Sequence, residues 1–237
     1  MAWRLERGLL ALAVPLALQA DVGVSRVSTQ ATLRRDTSDI AVIAVLPTSV
    51  PSGVPNGATG QRVLDSLIAS ELTAAGYQVI PTAVARPVWA RIVDSLHGFY
   101  DPATGEVIPE KLAALRGAVA REVGAGGLLT AQVAMIWLPF KAGKNVEYDG
   151  VKEKVTPAGN QSGEVSAITL VIVVSDTSGI PIQCGRGGIQ LLAKGTTWST
   201  NVREVKPEKV FAESDRNLAA VRRALGGLLV HQPECIP

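Results

Sequence analysis

Residues 40–46 read IAVIAVL, seven apolar side chains in a row, four of them β-branched, stopped by Pro47. A strand with one wet face alternates polar and apolar residues, so an unbroken run predicts a strand buried on both faces. It calls for a sheet with helices packed on it. The stretch 47–60 holds three Pro and three Gly and reads as an irregular loop. A helix opening at Thr59 or Gln61 then lines up Val63, Leu64, Leu67, Ile68 and Leu72 and stops at Gly76. Residues 77–80 are a short strand ended by Pro81.

Pro87 suits the first turn of a second helix carrying Val88, Trp89, Ile92, Val93 and Leu96, ended by His97-Gly98. Residues 100–105 (YDPATG) are a turn. Pro109 begins a third helix with Leu112, Leu115, Val119 and Val123 as its stripe and Gly124 as its stop, and 128–138 reads as a long strand. The polar segment 140–163 fits a hairpin carrying Val146, Tyr148, Val151 and Val155. VSAITLVIVV at 165–174 is the strongest strand, turned by Ser175 to Gly179 into a strand at 180–184. After a Gly185-Arg186-Gly187-Gly188 connection comes a strand at 188–193. Short links make these last strands antiparallel. A closing helix over 207–229 buries Val210, Phe211, Leu218, Val221, Leu225 and Leu228 and turns Arg216, Arg222 and Arg223 outward. The expected class is α/β (α+β): a mixed sheet of about five to seven strands with helices packed on it and a carboxyl-terminal helix.

The amino terminus has a different character. Arg4 and Arg7 precede an uncharged apolar run over 8–18, followed by Ala20 and Asp21. This is the pattern of a secretory signal peptide over 1–20, and the run is shorter than the roughly 20 residues of a spanning helix. No transmembrane segment is expected after cleavage. A flexible leader over 21–38 and a single α/β domain over 39–237 follow. Export makes a disulfide between Cys184 and Cys235, the chain's two cysteines, the expected state.

Of the 237 residues 47% are hydrophobic, 4% aromatic and 19% charged, a composition that buries a core. The formal net charge of +2 comes from scattered residues of both signs, which supplies no basic patch for nucleic acid. Two His and two Cys leave few side chains for metal ligation or for thiol or imidazole catalysis, so neither cofactor nor metal is expected. His97 lies near Asp94, Ser95 and Asp101, but a helix carboxyl terminus is itself a favourable place for His. His231 sits in a proline-flanked tail. Among the carboxylates in loop-like surroundings, Asp101, Glu106, Asp149, Glu153 and Asp176, no spacing brings a chosen pair together, and Asp176 fits an Asx turn. Trp89, Trp137 and Trp198 read as core or rim packing.

Glycine runs fail as phosphate loops on context. Gly124 to Gly127 lies between a helix and a strand, the reverse of the order a phosphate-cradling loop needs. Lys141 to Lys144 and Gly185 to Gly188 read as turns, the second able to form an anion nest. Asn160-Gln161-Ser162 matches a glycosylation acceptor. The loop over 47–60, at the carboxyl end of the first strand, is the expected place for a ligand or partner.

The order IAVLP, QRVLDSLIASELTAAGYQVI, EKLAALRGAVAREVGAGGLLTAQV and VSAITLVIVVSDTSGIPIQ resembles the envelope proteins built like the curli-secretion-channel lipoprotein and the TolB amino-terminal domain. The resemblance spans about residues 40–193 and rests on structural motifs. It implies a non-catalytic binding, assembly or scaffold component, with another envelope protein as partner and a periplasmic or secreted location. No lipid-attachment cysteine follows the signal-like segment, and no functional residue carries over. The rival expectations are a small-molecule-binding module at the 47–60 loop and a hydrolase using His97 with Asp94 or Asp101.

Overall fold

The computed structural model describes residues 40–95, 100–141, 144–155, 162–195 and 202–230. In chain order they form β1 (Val42–Val45), α1 (Gly57–Ala74), β2 (Gln78–Ile80), α2 (Thr82–Ser95), α3 (Pro109–Glu122) and β3 (Gly127–Lys141). Then follow β4 (Asn145–Tyr148), β5 (Val151–Lys154), β6 (Ser162–Asp176), β7 (Pro181–Leu191), β8 (Ala193–Gly195), β9 (Val202–Glu204) and α4 (Ser214–Val230). The main sheet has five strands in the order β2-β1-β3-β6-β7. β1 is parallel to both β2 and β3, while β3, β6 and β7 are successively antiparallel. β4–β5 and β8–β9 are separate two-stranded hairpins. The chain is a mixed α+β protein, as its apolar patterning predicts.

The IAVIAVL run behaves as read. Ile43 and Val45 point to one face, where α1 contributes Leu64, Ile68 and Leu72 and α4 contributes Val221, Leu225 and Leu228. Ala44 and Leu46 point to the other, beneath Ala85 of α2 and Leu115, Val119 and Ala120 of α3. Farther along that second face, the β4–β5 hairpin closes a third cluster of Phe140, Val146, Tyr148, Val155, Val165, Ala167 and Leu191. Its turn is Asp149-Gly150, both at positive φ (39° and 77°), the left-handed pair that a tight two-residue hairpin requires.

Several boundaries differ from expectation. α1 starts at Gly57, so the loop is shorter than the 47–60 span, and its first residues prolong β1: Leu46 and Ser49 donate backbone bonds to Leu129 and Ala131. α2 starts at Thr82, which puts Pro87 in its second turn rather than its first. The proline frees only the Ala83 carbonyl, and both residues are exposed, so water can take that bond. β3 runs on to Lys141 through Pro139. The expected closing helix over 207–229 is broken. A 3₁₀ turn at Pro207–Lys209 is followed by Phe211 at φ 62°, and α4 begins at Ser214. Phe211 is 3% exposed and lies against Gly60 of α1, so its burial holds the backbone in that uncommon conformation. Leu218 is half-buried.

The largest correction concerns Gly185 to Gly188. These residues make no connection and no anion nest; they are the middle of one continuous strand, β7. A Cβ on Gly185 would stand 1.9 Å from the Ala224 carbonyl oxygen, and one on Gly187 would stand 2.0 Å from that of Ala220. The glycines are there so that α4 can lie directly on β7.

Candidate functional site

Four of the candidate carboxylates, Asp101, Asp149, Glu153 and Asp176, are engaged in holding the fold. Asp101 accepts from the backbone N–H groups of Ala103 (2.7 Å) and Thr104 (3.2 Å), closing the turn between Tyr100 and Val107. Asp176 accepts from Ser178 (2.8 Å) and Ile180 (3.1 Å), the Asx turn read from the sequence. Glu106 and Asp94 are exposed, the latter at the end of α2. His97, His231, Trp198, Cys235, Asn160 and Gln161 lie outside the described residues, as do Ala142 and Gly143. Trp89, on α2, is partly buried against the cluster that α2 and α3 form on the sheet.

Glu153 and Asp149 anchor the β4–β5 hairpin to the body. The Tyr148 hydroxyl donates to Glu153 (2.8 Å), which also receives Arg216 of α4 (2.9 Å), itself paired with Glu213 (2.7 Å). Asp149 receives Arg186 of β7 (3.0 Å), and the Gly188 N–H donates to the Asp149 carbonyl (2.9 Å). Burial, then the charge and hydrogen bond of Glu153, push the Tyr148 hydroxyl well above the usual tyrosine range. A shallow open depression of about 440 Å³ lies over residues 147–152. Tyr148 and Asp149 of its lining belong to this clamp, and Lys152 pairs with Glu147 (2.6 Å). No spacing rule links Tyr148 to Arg216 across 68 positions, so the cluster has no sequence signature.

The loop after β1 is pinned to the body at Thr48, Val54 and Asn56, while Ser49, Pro51, Ser52 and Gly53 are exposed. Val54 is buried, and Thr48 is buried with its N–H donating to Asp65 of α1 (2.7 Å). The Asn56 side chain donates to the Val210 carbonyl (3.0 Å).

What the fold leaves open is the far half of β3. Residues up to Val133 pair with β1 and its extension; among the described residues, no strand pairs with that edge of β3 beyond Val133. Leu129, Ala131 and Val133 direct their backbone groups to the β1 side, so by the two-residue period Met135, Trp137 and Pro139 do too. Pro139 has no N–H to leave unpaired, the usual tenant of a strand edge. Trp137 is 65% exposed, on the face that α1 covers lower down the sheet, with exposed Pro139 beside it. The sequence reading of Trp137 as packing is therefore corrected. Its surface position could not be read from a strand whose alternation is imperfect.

No protein-family model matches the chain. No curated protein matches it either. Among solved structures, it is similar to a lipoprotein from Neisseria meningitidis at 17% identity and a TM-score of 0.34, over 63% of this chain and 81% of that one. It is similar to the LpoB carboxyl-terminal domain from Escherichia coli at 17% identity and a TM-score of 0.33, over 63% and 82%. The Salmonella enterica form of that domain is matched at 14% identity and a TM-score of 0.33, over 63% and 82%. These likenesses are loose and concern coarse fold alone.

Proposed function

We propose that the chain is exported, loses residues 1–20, and acts in the cell envelope without catalysis by binding a protein partner at the distal half of β3. The single observation that carries this reading is Trp137, 65% exposed beside a strand edge that no strand among the described residues pairs with. Tryptophan is enriched among residues that dominate protein–protein binding energy, because it buries a large rigid surface at small entropic cost. An open edge offers the main-chain bonds that an added strand needs. The signal-like segment supports export. Asp101 and Asp176 cap turns and Asp149 and Glu153 hold the hairpin, which supports binding over hydrolysis. Among the described residues, no helix is long and apolar enough to cross a membrane.

The test compares the wild-type chain with Trp137→Ala in cross-linking from the source organism's envelope, with thermal unfolding as a control. A partner recovered by wild type and weakened about thirtyfold or more by Trp137→Ala, at unchanged stability, is expected for an anchor of this kind. If every recovered protein binds both forms equally, the distal β3 surface is not the site.

A further inference from the structure

The open edge of β3 has fixed ends. At one end the Ser49 carbonyl occupies it, accepting from the Val133 N–H (2.8 Å). At the other the chain turns away at Lys141, whose carbonyl accepts from the Lys144 N–H (3.1 Å). Between these limits Met135, Trp137, Pro139 and Lys141 direct their backbone groups outward by the two-residue period, and no strand among the described residues meets them. The edge is therefore a short window, and its midpoint is Leu138.

Such a window is complementary to itself. Let a second β3 run antiparallel beside the first with the two Leu138 residues opposite one another. Trp137 then lies opposite Pro139 of the second copy and Met135 opposite its Lys141, and the two-fold axis repeats both pairs. Pro139 has no N–H to give but keeps a carbonyl to accept from the tryptophan N–H. Other registers fit worse. Centring the pair on Trp137 drives Lys141 of one copy against Val133 of the other, where Ser49 already sits. Centring it on Pro139 sets two prolines opposite each other and forms no bond there.

The side chains favour the same register. On the face that α1 covers lower down, the exposed Trp137 ring meets exposed Pro139 of the second copy, and the Lys141 stem lies along half-buried Met135 with its ammonium in water. On the other face Leu138 meets Leu138, and Ile136 comes beside Phe140 of the second copy, an aromatic against a β-branched side chain. Like charges are kept apart, because the two Lys141 residues stand at opposite ends of the joint, about 20 Å from each other.

We propose that the occupant of this edge is a second copy of the chain, joined through β3 across a two-fold axis at Leu138, so that the two main sheets continue into one another. The proposal rests on the reading of distal β3 as the binding surface and names its partner. One short strand and one tryptophan from each copy bury less than the roughly 1,200 Å² of a standard interface, so the dimer is reversible and depends on concentration.

Sedimentation equilibrium of the full chain as exported, over a graded concentration series, should show monomer and dimer in exchange. Trp137→Ala removes both rings from each dimer and should raise the dissociation constant about a hundredfold or more. Ile180→Ala, exposed in the turn between β6 and β7, should leave it unchanged. Leu138→Cys reports the register: opposed residues of this kind have Cα atoms about 4.5 Å apart, within disulfide reach. Oxidised glutathione should therefore link position 138 of one copy to position 138 of the other, read by non-reducing peptide mass analysis. A chain that stays monomeric overturns the second copy as occupant, and the distal β3 surface then keeps its role only if Trp137→Ala still weakens an envelope partner. Association unmoved by Trp137→Ala, or a dimer without the 138–138 link, overturns the two-fold pairing.

Discussion

Replacing Gly185 with Ala puts a methyl group where α4 already is. A carbon needs about 3.3 Å from a carbonyl oxygen, even in a close C–H···O contact. The space to the Ala224 oxygen is 1.9 Å, so the backbone of helix or strand must retreat by about 1.4 Å. The obstacle is main chain on both sides, and no rotamer change relieves it. A lift of that size separates Val221, Ala224, Leu225 and Leu228 from the sheet, all of them 2% exposed or less. Gaps of 0.5–1 Å already forfeit a quarter to a half of a dispersion contact, and overpacking costs about 1–3 kcal/mol before that loss is added. The smaller entropy of the unfolded alanine chain returns about 0.4–1 kcal/mol. The net loss is about 2–4 kcal/mol, a fall in Tm of roughly 5–15 °C for a domain of this size. Denaturant unfolding followed by circular dichroism measures it. Gly187→Ala, at 2.0 Å from the Ala220 oxygen, should behave alike. The double variant should cost less than the sum, because one displacement of α4 relieves both contacts. Gly226, in the same helix with nothing within 4 Å of its added Cβ, should respond in the opposite sense: Ala there stabilises by about 0.5–1 kcal/mol. A Gly185→Ala protein within about 0.5 kcal/mol of wild type would refute the direct-contact reasoning.

Phe211→Ala empties the space against Gly60 and should cost about 3–5 kcal/mol, read as a lower denaturant midpoint at unchanged slope. For Tyr148 the folded hydroxyl titrates above its unfolded value, so its stability contribution is complete below the ordinary tyrosine pKa of about 10 and is lost as pH rises beyond it. Unfolding midpoints measured between pH 8 and roughly 11 should therefore fall more steeply for wild type than for Tyr148→Phe. Parallel curves would mean that burial and Glu153 do not hold the Tyr148 hydroxyl neutral in the folded protein. The same substitution removes one hydrogen bond to Glu153 and should cost about 1 kcal/mol at neutral pH.

Much of the architecture was legible because burial on two faces leaves a mark on one strand. IAVIAVL predicts helices on both sides of its sheet, and the periodic stripes of α1 and α3 with their glycine stops supply two of them. Residues 165–174 announce β6, and Asp176 announces its turn. These signals are local: each depends on side-chain period or on a turn within a few residues. The errors arose where a distant segment decided the outcome. Gly185 to Gly188 looks like a turn until α4, more than thirty positions later, is laid on it. Phe211 looks like a helix position until Gly60, 151 residues earlier, receives its ring.

By itself the sequence determined the fold class, most element positions and the scarcity of histidine and cysteine, because composition and period need no knowledge of partners. Tertiary structure alone decided that Glu153 and Asp149 clamp a hairpin to the body, and that β3 outruns its neighbour and exposes Trp137. Each of these depends on which segments become neighbours in space, and a contact between residues far apart in the chain leaves no period in the sequence to read.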